Sequence, residues 1–223
     1  VDLRIYELAP DLGNDGLRDK VSEIAKLKKV GGVLVQLPMP KEINRHYVLN
    51  AIPREKDADV LGERALGAFY TGRNPVLPPA VGVVIEILER VGWFEKLKNM
   101  KVAVIGSGFL TGKPIAVWLT DKARELEVLN EGSDLEDLKE ADLVISGAGK
   151  PALIKAKSLK EGCGVIDFGY AKKENDFLGD LDYSSGVERL GFYTPTPGGT
   201  GPILVAKLLE NFYTSFTIVS KVL

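Results

Sequence analysis

The sequence contains one cysteine, Cys163, and one histidine, His46, among 223 residues. A lone cysteine excludes an internal disulfide, and together the two leave no soft-ligand set for a zinc, so no metal site is expected. Both are read as ordinary core or surface residues. An excess of charge is also missing: 29 Lys and Arg stand against 31 Asp and Glu. With no block of one sign, nothing draws the surface to nucleic acid or to anionic lipid, and neither is expected as a partner. No apolar run approaches the ~20 residues that span a bilayer. The opening VDLRIYELAP carries charges where a secretory apolar region would lie. These absences point to a cytoplasmic protein. The first residue is valine, as expected of a trimmed chain or a fragment.

What is present is the composition of a globular protein, 45% apolar and 27% charged, long enough for one large core or two small ones. Leu3-Arg4-Ile5-Tyr6 alternates as a strand, and Leu17, Val21, Ile24 and Ala25 recur with helical spacing. Val33-Leu34-Val35 reads as a buried strand stopped by Pro38 and Pro40. Helical patterning resumes at Val48-Leu49, breaks at Pro53 and returns between Val81 and Val91. From residue 101 the alternation is regular: a strand at 101–105, a glycine turn, a helix over 114–124 and a strand at 126–129. Short apolar runs follow at 143–145, 165–166 and 192–193, and a last helix begins at Pro202. Strands joined by helical crossovers predict an α/β protein with a Rossmann-type doubly wound parallel sheet, whose ligands sit at the carboxyl ends of the strands.

Three stretches could carry chemistry. In GSGFLTGKP, residues 106–114, Gly106 and Gly108 would let a phosphate approach the backbone, and the following helix offers free N–H groups, with Lys113 adding charge. The spacing Gly106, Gly108, Gly112 is one residue longer than the common dinucleotide fingerprint, and an ordinary strand-to-helix turn is the alternative. In Val35-Gln36-Leu37-Pro38, a polar amide directly follows a buried run, where it would orient a substrate or a water, or simply cap a loop. Asp57 and Asp59 could meet a metal or a basic ring edge, though such pairs are more often solvated turns. Residues 194–202, TPTPGGTGP, hold so much fixed and special backbone that close packing or a flat ligand must require it.

In this order, these stretches resemble the methylenetetrahydrofolate dehydrogenase/methenyltetrahydrofolate cyclohydrolase family. GGVLVQLPMP is like the family's GILVQLPLP, IPREKDADV like PxKDVDGF, and VIGSGFLTGKP like VIGxSxxVGxP; GVIDFGY, LGDLDY and TPTPGGTGP then follow VIDVGIN, GDV and TPVPGGVGP. The resemblance implies a folate-binding catalytic domain over 1–94, a smaller α/β unit lacking its first strand. It further implies an NAD(P)-binding domain over 95–200 and a C-terminal helix over 201–223 that packs back on the first domain. It implies oxidation of 5,10-methylenetetrahydrofolate by hydride transfer to NAD or NADP, then hydrolysis to 10-formyltetrahydrofolate, in a homodimer. By the same resemblance Gln36 works with a lysine at the one-carbon centre and Asp59 grips the pterin. Leu37, Pro38, Pro197, Gly198 and Gly199 contact the substrate, while Gly106, Ser107, Gly108, Gly112, Lys113, Glu131 and Tyr170 serve the cofactor.

The departures sharpen the expectation. The family's Tyr-x-x-x-Lys has no counterpart: none of the seven tyrosines is followed by lysine four residues on. The dehydrogenase is therefore expected to exceed the cyclohydrolase, and a non-catalytic nucleotide- or folate-binding relative is the alternative. DVDG has become Asp57-Ala58-Asp59-Val60, and PCTP has become Leu77-Pro78-Pro79-Ala80. Where NADP-using members place Arg and Ser or Arg, this chain has Ser107 and Glu131. An acid 25 residues after Gly106 suits the ribose 2′-hydroxyl and repels a 2′-phosphate, so NAD is expected over NADP. Another nicotinamide dehydrogenase would share the cofactor sheet but leave VQLPMP and TPGGTGP unexplained.

Overall fold

The structure is a computed structural model that describes residues 2–173, 176–184 and 186–220. The chain forms two compact units, Val1–Pro78 with Leu208–Leu223, and Pro79–Lys207. Residue 1 and the last three residues of the 201–223 segment lie outside the described part.

The first unit is built from α1 (Gly13–Lys26), α2 (Arg45–Leu49) and α3 (Glu63–Tyr70). Leu17, Val21 and Ala25 recur every four residues and form the buried stripe of α1. The ammonium of Lys56 donates to Ala25 O at 2.6 Å and Leu27 O at 3.3 Å, satisfying carbonyls at the end of α1. Asn44 caps α2 by accepting from Tyr47 N at 3.2 Å. The expected strands at 3–6 and 33–35 do not form, and among the described residues this unit contains no strand, which corrects the expectation of a small α/β unit. Alternation alone makes no strand without a neighbour to complete the ladder. Leu3 is 78% exposed and Ile5 82%, and the 33–35 segment is tied instead by one bond, Val33 N to Lys56 O at 2.9 Å.

The second unit opens with α4 (Pro79–Arg90), which contacts α5 (Gly112–Leu119). The sequence divides the chain at 94/95; the compact units divide at 78/79, because the apolar face of α4 is buried within the sheet-containing unit. The last helix, α6 (Thr200–Ser220), gives its start to this unit and the remainder to the first. In the first unit, Asn211 Nδ2 donates to Ala58 O and Leu77 O at 2.9 and 2.7 Å.

The described residues of the second unit form nine strands: β1 (Lys101–Ile105), β2 (Glu125–Leu129), β3 (Leu143–Ser146), β4 (Ile154–Lys155), β5 (Gly164–Asp167), β6 (Ala171–Lys173), β7 (Asp176–Leu178), β8 (Leu181–Asp182) and β9 (Phe192–Tyr193). Five form one parallel sheet in the order β2-β1-β3-β5-β9. Residues 102–105, 143–146 and 164–167 are buried throughout, as parallel strands covered on both faces must be. Ala103, Ile105, Val144 and Val165 form one core with Leu138, Ile154, Leu159 and Leu181. Each large apolar side chain buried there contributes about 1.5–3 kcal/mol before entropy is counted. The helix expected over 114–124 spans only 112–119. The Thr120 hydroxyl turns back to Ala116 O at 3.0 Å, and the chain folds into a turn through Lys122 N to Leu119 O at 2.9 Å. Two small ribbons, β4 with β8 and β6 with β7, are too short for any periodicity to announce them.

Chain order reverses at β1, with β2 on one side and β3 on the other. In open parallel sheets this is where a crevice opens at the carboxyl ends of the strands.

Candidate functional site

The glycine turn lies at that reversal point. Gly106 N donates to Leu129 O at 2.7 Å and Gly147 N to Ile105 O at 2.9 Å, so the loops after β1, β2 and β3 are laced together. Gly106 has φ +85°, and a Cβ there would meet Gly147 O at 3.0 Å and Ala148 N at 3.2 Å. A Cβ on Gly112 would lie 1.7 Å from Gly106 O. These two glycines are therefore required by packing of loop on helix. Gly108 differs: a Cβ there meets nothing within 4 Å, leaving open space over the turn. Thr111, the residue before α5, makes no side-chain capping bond, Lys113 N donates to Gly108 O at 3.0 Å, and Pro114 carries no N–H, so the turn closes on the helix start through backbone alone. Lys113 is exposed in the first turn. Open space over the turn, the positive end of the helix dipole and the Lys113 charge together fit the pyrophosphate of a dinucleotide.

Glu131 and Ser107 flank this turn. Ser107 N donates to Asn130 Oδ1 at 3.1 Å, which fixes the β2 loop against the glycine turn. The Lys150 ammonium lies 2.6 Å from Glu131 Oε1 and, by donating to it, holds that carboxyl below its usual range. Tyr170 is exposed and stacks on Phe177 with centroids 4.5 Å apart and planes at 12°.

Sequence reasoning missed the buried polar centre beneath the crevice. Asp180 is fully buried. Its Oδ2 accepts from Ser146 Oγ at 2.6 Å and Ala148 N at 2.8 Å, and its Oδ1 from Lys150 N at 2.7 Å. Asp167, also fully buried, accepts from Gly169 N at 2.7 Å and Leu181 N at 2.9 Å. Burial pushes the Asp167 carboxyl up, while those N–H bonds pull it back. A Cβ on Gly169 would lie 2.4 Å from Asp180 Cγ, and one on Gly179 2.2 Å from Asp167 Oδ2. The stretches VIDFG and GDLD are thus one knot, in which each aspartate occupies the space beside a glycine of the other stretch. The available signal was two aspartates beside glycines, each following or preceding a short apolar run.

The proline-rich stretch is pinned to the same knot. Thr194 Oγ1 accepts from Asp167 N at 2.8 Å, Thr196 N donates to Tyr183 Oη at 2.8 Å, and Thr200 Oγ1 donates to Asp167 O at 3.1 Å. The Thr196-Pro197 bond is cis. Gly199 is needed for packing, since a Cβ would sit 2.3 Å from Pro195 O. Gly198, at φ +95°, has open space above it.

In the first unit the structure ties the two remaining motifs together through the Val33 N to Lys56 O bond. Gly31 and Gly32 pack under the aromatic rings of Phe212 and Phe216, where a Cβ would approach to 2.9 and 2.7 Å. Gln36 is exposed and commits one N–H to Leu37 O at 3.1 Å; the Leu37-Pro38 bond is cis. Asp57 and Asp59 are not an equivalent pair, and Asp57 is no solvated turn residue. Only 1% exposed, Asp57 accepts from Leu61 N and Gly62 N at 3.0 and 2.8 Å and so caps the approach to α3. Asp59 is half-buried; burial, with the neighbouring Asp57 charge, pushes its carboxyl up to about 6. Val60 completes the turn at φ +57°, a left-handed conformation unusual for a β-branched residue.

Among the described residues no group of His, Cys, Asp and Glu is arranged to hold a metal. No described helix is long and apolar enough to cross a membrane.

Residues 78–219 match the tetrahydrofolate dehydrogenase/cyclohydrolase NAD(P)-binding domain, and residues 1–59 match that family's catalytic domain. The chain is 33% identical over 209 residues to the bifunctional protein FolD of Agathobacter rectalis, covering 92% of this chain and 74% of that one. Among solved structures it is similar to the bifunctional FolD of Campylobacter jejuni, at 29% identity and TM-score 0.89 over 95% of this chain and 76% of that one. It is also similar to the Trypanosoma brucei FolD complexed with NADP cofactor and an inhibitor, at 28% identity and TM-score 0.86, covering 92% and 73% of the respective chains. The chain thus spans about three quarters of the length of these relatives. Matched over residues 1–59 and 78–219 by the family's two domains, it belongs to the tetrahydrofolate dehydrogenase/cyclohydrolase family.

Proposed function

We propose that this chain oxidises 5,10-methylenetetrahydrofolate to 5,10-methenyltetrahydrofolate with a nicotinamide cofactor, NAD in preference to NADP. The observation that carries the reading is the glycine turn at the β1/β3 reversal, with space over Gly108 at the start of α5, inside a domain matching the family's NAD(P)-binding domain. A bound nicotinamide ring supplies the hydride acceptor. The chain's own residues supply placement. Gly106, Gly108 and Gly112 with the first turn of α5 cradle the pyrophosphate, and Lys113 adds a positive charge. Glu131 accepts the adenosine ribose 2′-hydroxyl, and Tyr170 borders the nicotinamide ribose.

On the folate side, Asp59 offers a half-buried carboxyl to the N–H donors of the pterin edge. With a value near 6 it is largely ionised at neutral pH while still poorly solvated, which strengthens any bond it accepts. Gln36 orients the one-carbon centre with the part of its amide that Leu37 does not engage. Leu37 and Pro38 supply flat backbone surface for the ring system. Gln36→Ala tests the assignment: it is expected to lower turnover at least about 100-fold while cofactor affinity stays within about twofold. Parallel loss of both, or retention of turnover, would contradict the role.

A further inference from the structure

The Lys150–Glu131 ion pair has a position fixed by topology. Glu131 lies two residues past the end of β2 and Lys150 four past the end of β3. The sheet order places β1 between those strands. With strands ~4.8 Å apart, the two loops stand roughly 10 Å apart at the sheet's carboxyl edge. Their 2.6 Å contact therefore reaches across the end of β1, where Gly106 and Ser107 begin the phosphate turn.

Both ends of this bridge are anchored. Asp180, fully buried, holds the main chain of Lys150 through Lys150 N at 2.7 Å and of the preceding turn through Ala148 N at 2.8 Å. Beside Glu131, Asn130 accepts from Ser107 N at 3.1 Å and donates its own N–H to Ser133 Oγ at 3.0 Å. The side chains themselves are solvent-accessible, 53% for Lys150 and 85% for Glu131, so the pair adds little to stability. A fixed backbone carrying an accessible ammonium and an accessible carboxylate over a phosphate turn is better explained by a ligand than by the fold.

We propose that Lys150 is a cofactor-specificity residue: paired with Glu131 it orients the carboxylate towards the ribose 2′-hydroxyl of NAD, and freed from Glu131 its ammonium binds the 2′-phosphate of NADP. This rests on the reading that places the adenosine ribose at Glu131. The chemistry is that of a single point charge with a choice of two anions. A carboxylate that accepts a hydrogen bond from a hydroxyl and repels a phosphate dianion also occupies a cation positioned to attract that dianion. Removing Glu131 should thus do more than abolish repulsion, because it delivers a pre-positioned lysine to the phosphate.

Calorimetric titration of NAD and NADP into the full chain and its Glu131→Ser, Lys150→Met and doubly substituted variants tests this, with thermal melting as a check that all four fold. Glu131→Ser is expected to tighten NADP about tenfold or more and to weaken NAD. Lys150→Met is expected to weaken NAD, because Glu131 loses the group that orients it, and to leave NADP no tighter than in wild type. The double variant is expected to lose the NADP gain of Glu131→Ser. Persistence of that gain in the double variant, or its absence in Glu131→Ser, would overturn the role of Lys150. If wild type binds NADP as tightly as NAD, the preference assigned above fails, and the Lys150 role is still decided by whether the double variant loses the gain. Failure of all four to bind either nucleotide would overturn both.

Discussion

A Cβ atom on Gly112 would lie 1.7 Å from the carbonyl oxygen of Gly106, so the start of α5 and the end of β1 meet backbone to backbone. Gly108, four residues before Gly112, has open space where its side chain would be. The two substitutions to alanine should therefore separate. Gly112→Ala forces the turn apart and is expected to cost about 3 kcal/mol or more in urea denaturation. Gly108→Ala is expected to change stability by less than about 1 kcal/mol yet to weaken nucleotide binding, because the methyl group enters the space assigned to the phosphate. Equal stability losses would contradict the packing argument.

Asp59 makes stability depend on pH in the direction opposite to a salt-bridged acid. Its folded value, about 6, lies above the ordinary 3.8. Below about pH 4 the carboxyl is protonated in both states and its contribution is intact; as pH rises through 6 the unfolded chain ionises more readily and stability falls. Asp57 is shifted up by burial as well and adds the same sign. Asp59→Asn is thus expected to flatten the fall between about pH 4 and 6 and to be more stable than wild type at neutral pH, on the order of 1–2 kcal/mol. Its folate turnover is expected to drop. Denaturation midpoints across that range give the answer, and an unchanged slope would contradict the assignment.

Val60 stands at φ +57° where the family's motif has glycine, and it is only 1% exposed. Burial favours the side chain, whereas the left-handed backbone disfavours any Cβ by roughly 1–2 kcal/mol. At an ordinary buried site alanine is more stable than glycine. Here Val60→Gly is expected to equal or exceed Val60→Ala in stability, since glycine alone releases the backbone. A glycine variant about 1 kcal/mol below alanine would show that the turn carries no strain.

Asp180 satisfies donors from Ser146, Ala148 and Lys150 in a fully buried setting. Asp180→Asn replaces one acceptor oxygen by a donor that must face an N–H or a hydroxyl. The expected cost is about 2–4 kcal/mol, with a rise in the KM for the nucleotide as residues 147–150 loosen. A fully stable Asn variant would mean the carboxyl is dispensable to the loop.

The cofactor half of the molecule was legible because its strands are short, apolar and closed by glycine, serine or aspartate. The run Lys101–Ile105, buried from Val102 onward and followed by Gly106, needed no tertiary information. Asp180 was illegible because its partners lie 30 to 34 residues earlier in the chain, and only the paired sheet brings them together. Lys150 was invisible for the same reason, since its relation to Glu131 depends on strand order rather than sequence spacing. At residues 3–6 the alternating pattern was present and the strand was not, because a strand requires a neighbour that the pattern cannot specify. The Asp57/Asp59 pair was ambiguous as sequence; the hydrogen bonds of Leu61 and Gly62 to Asp57 assign that acid to the fold and distinguish it from Asp59.

The most direct test of the account is the growth of reduced-nicotinamide absorbance when 5,10-methylenetetrahydrofolate is added to the protein with NAD or with NADP. Turnover is expected, with a higher kcat/KM for NAD. Absence of turnover with both cofactors, under conditions where calorimetry shows either one bound, would contradict it.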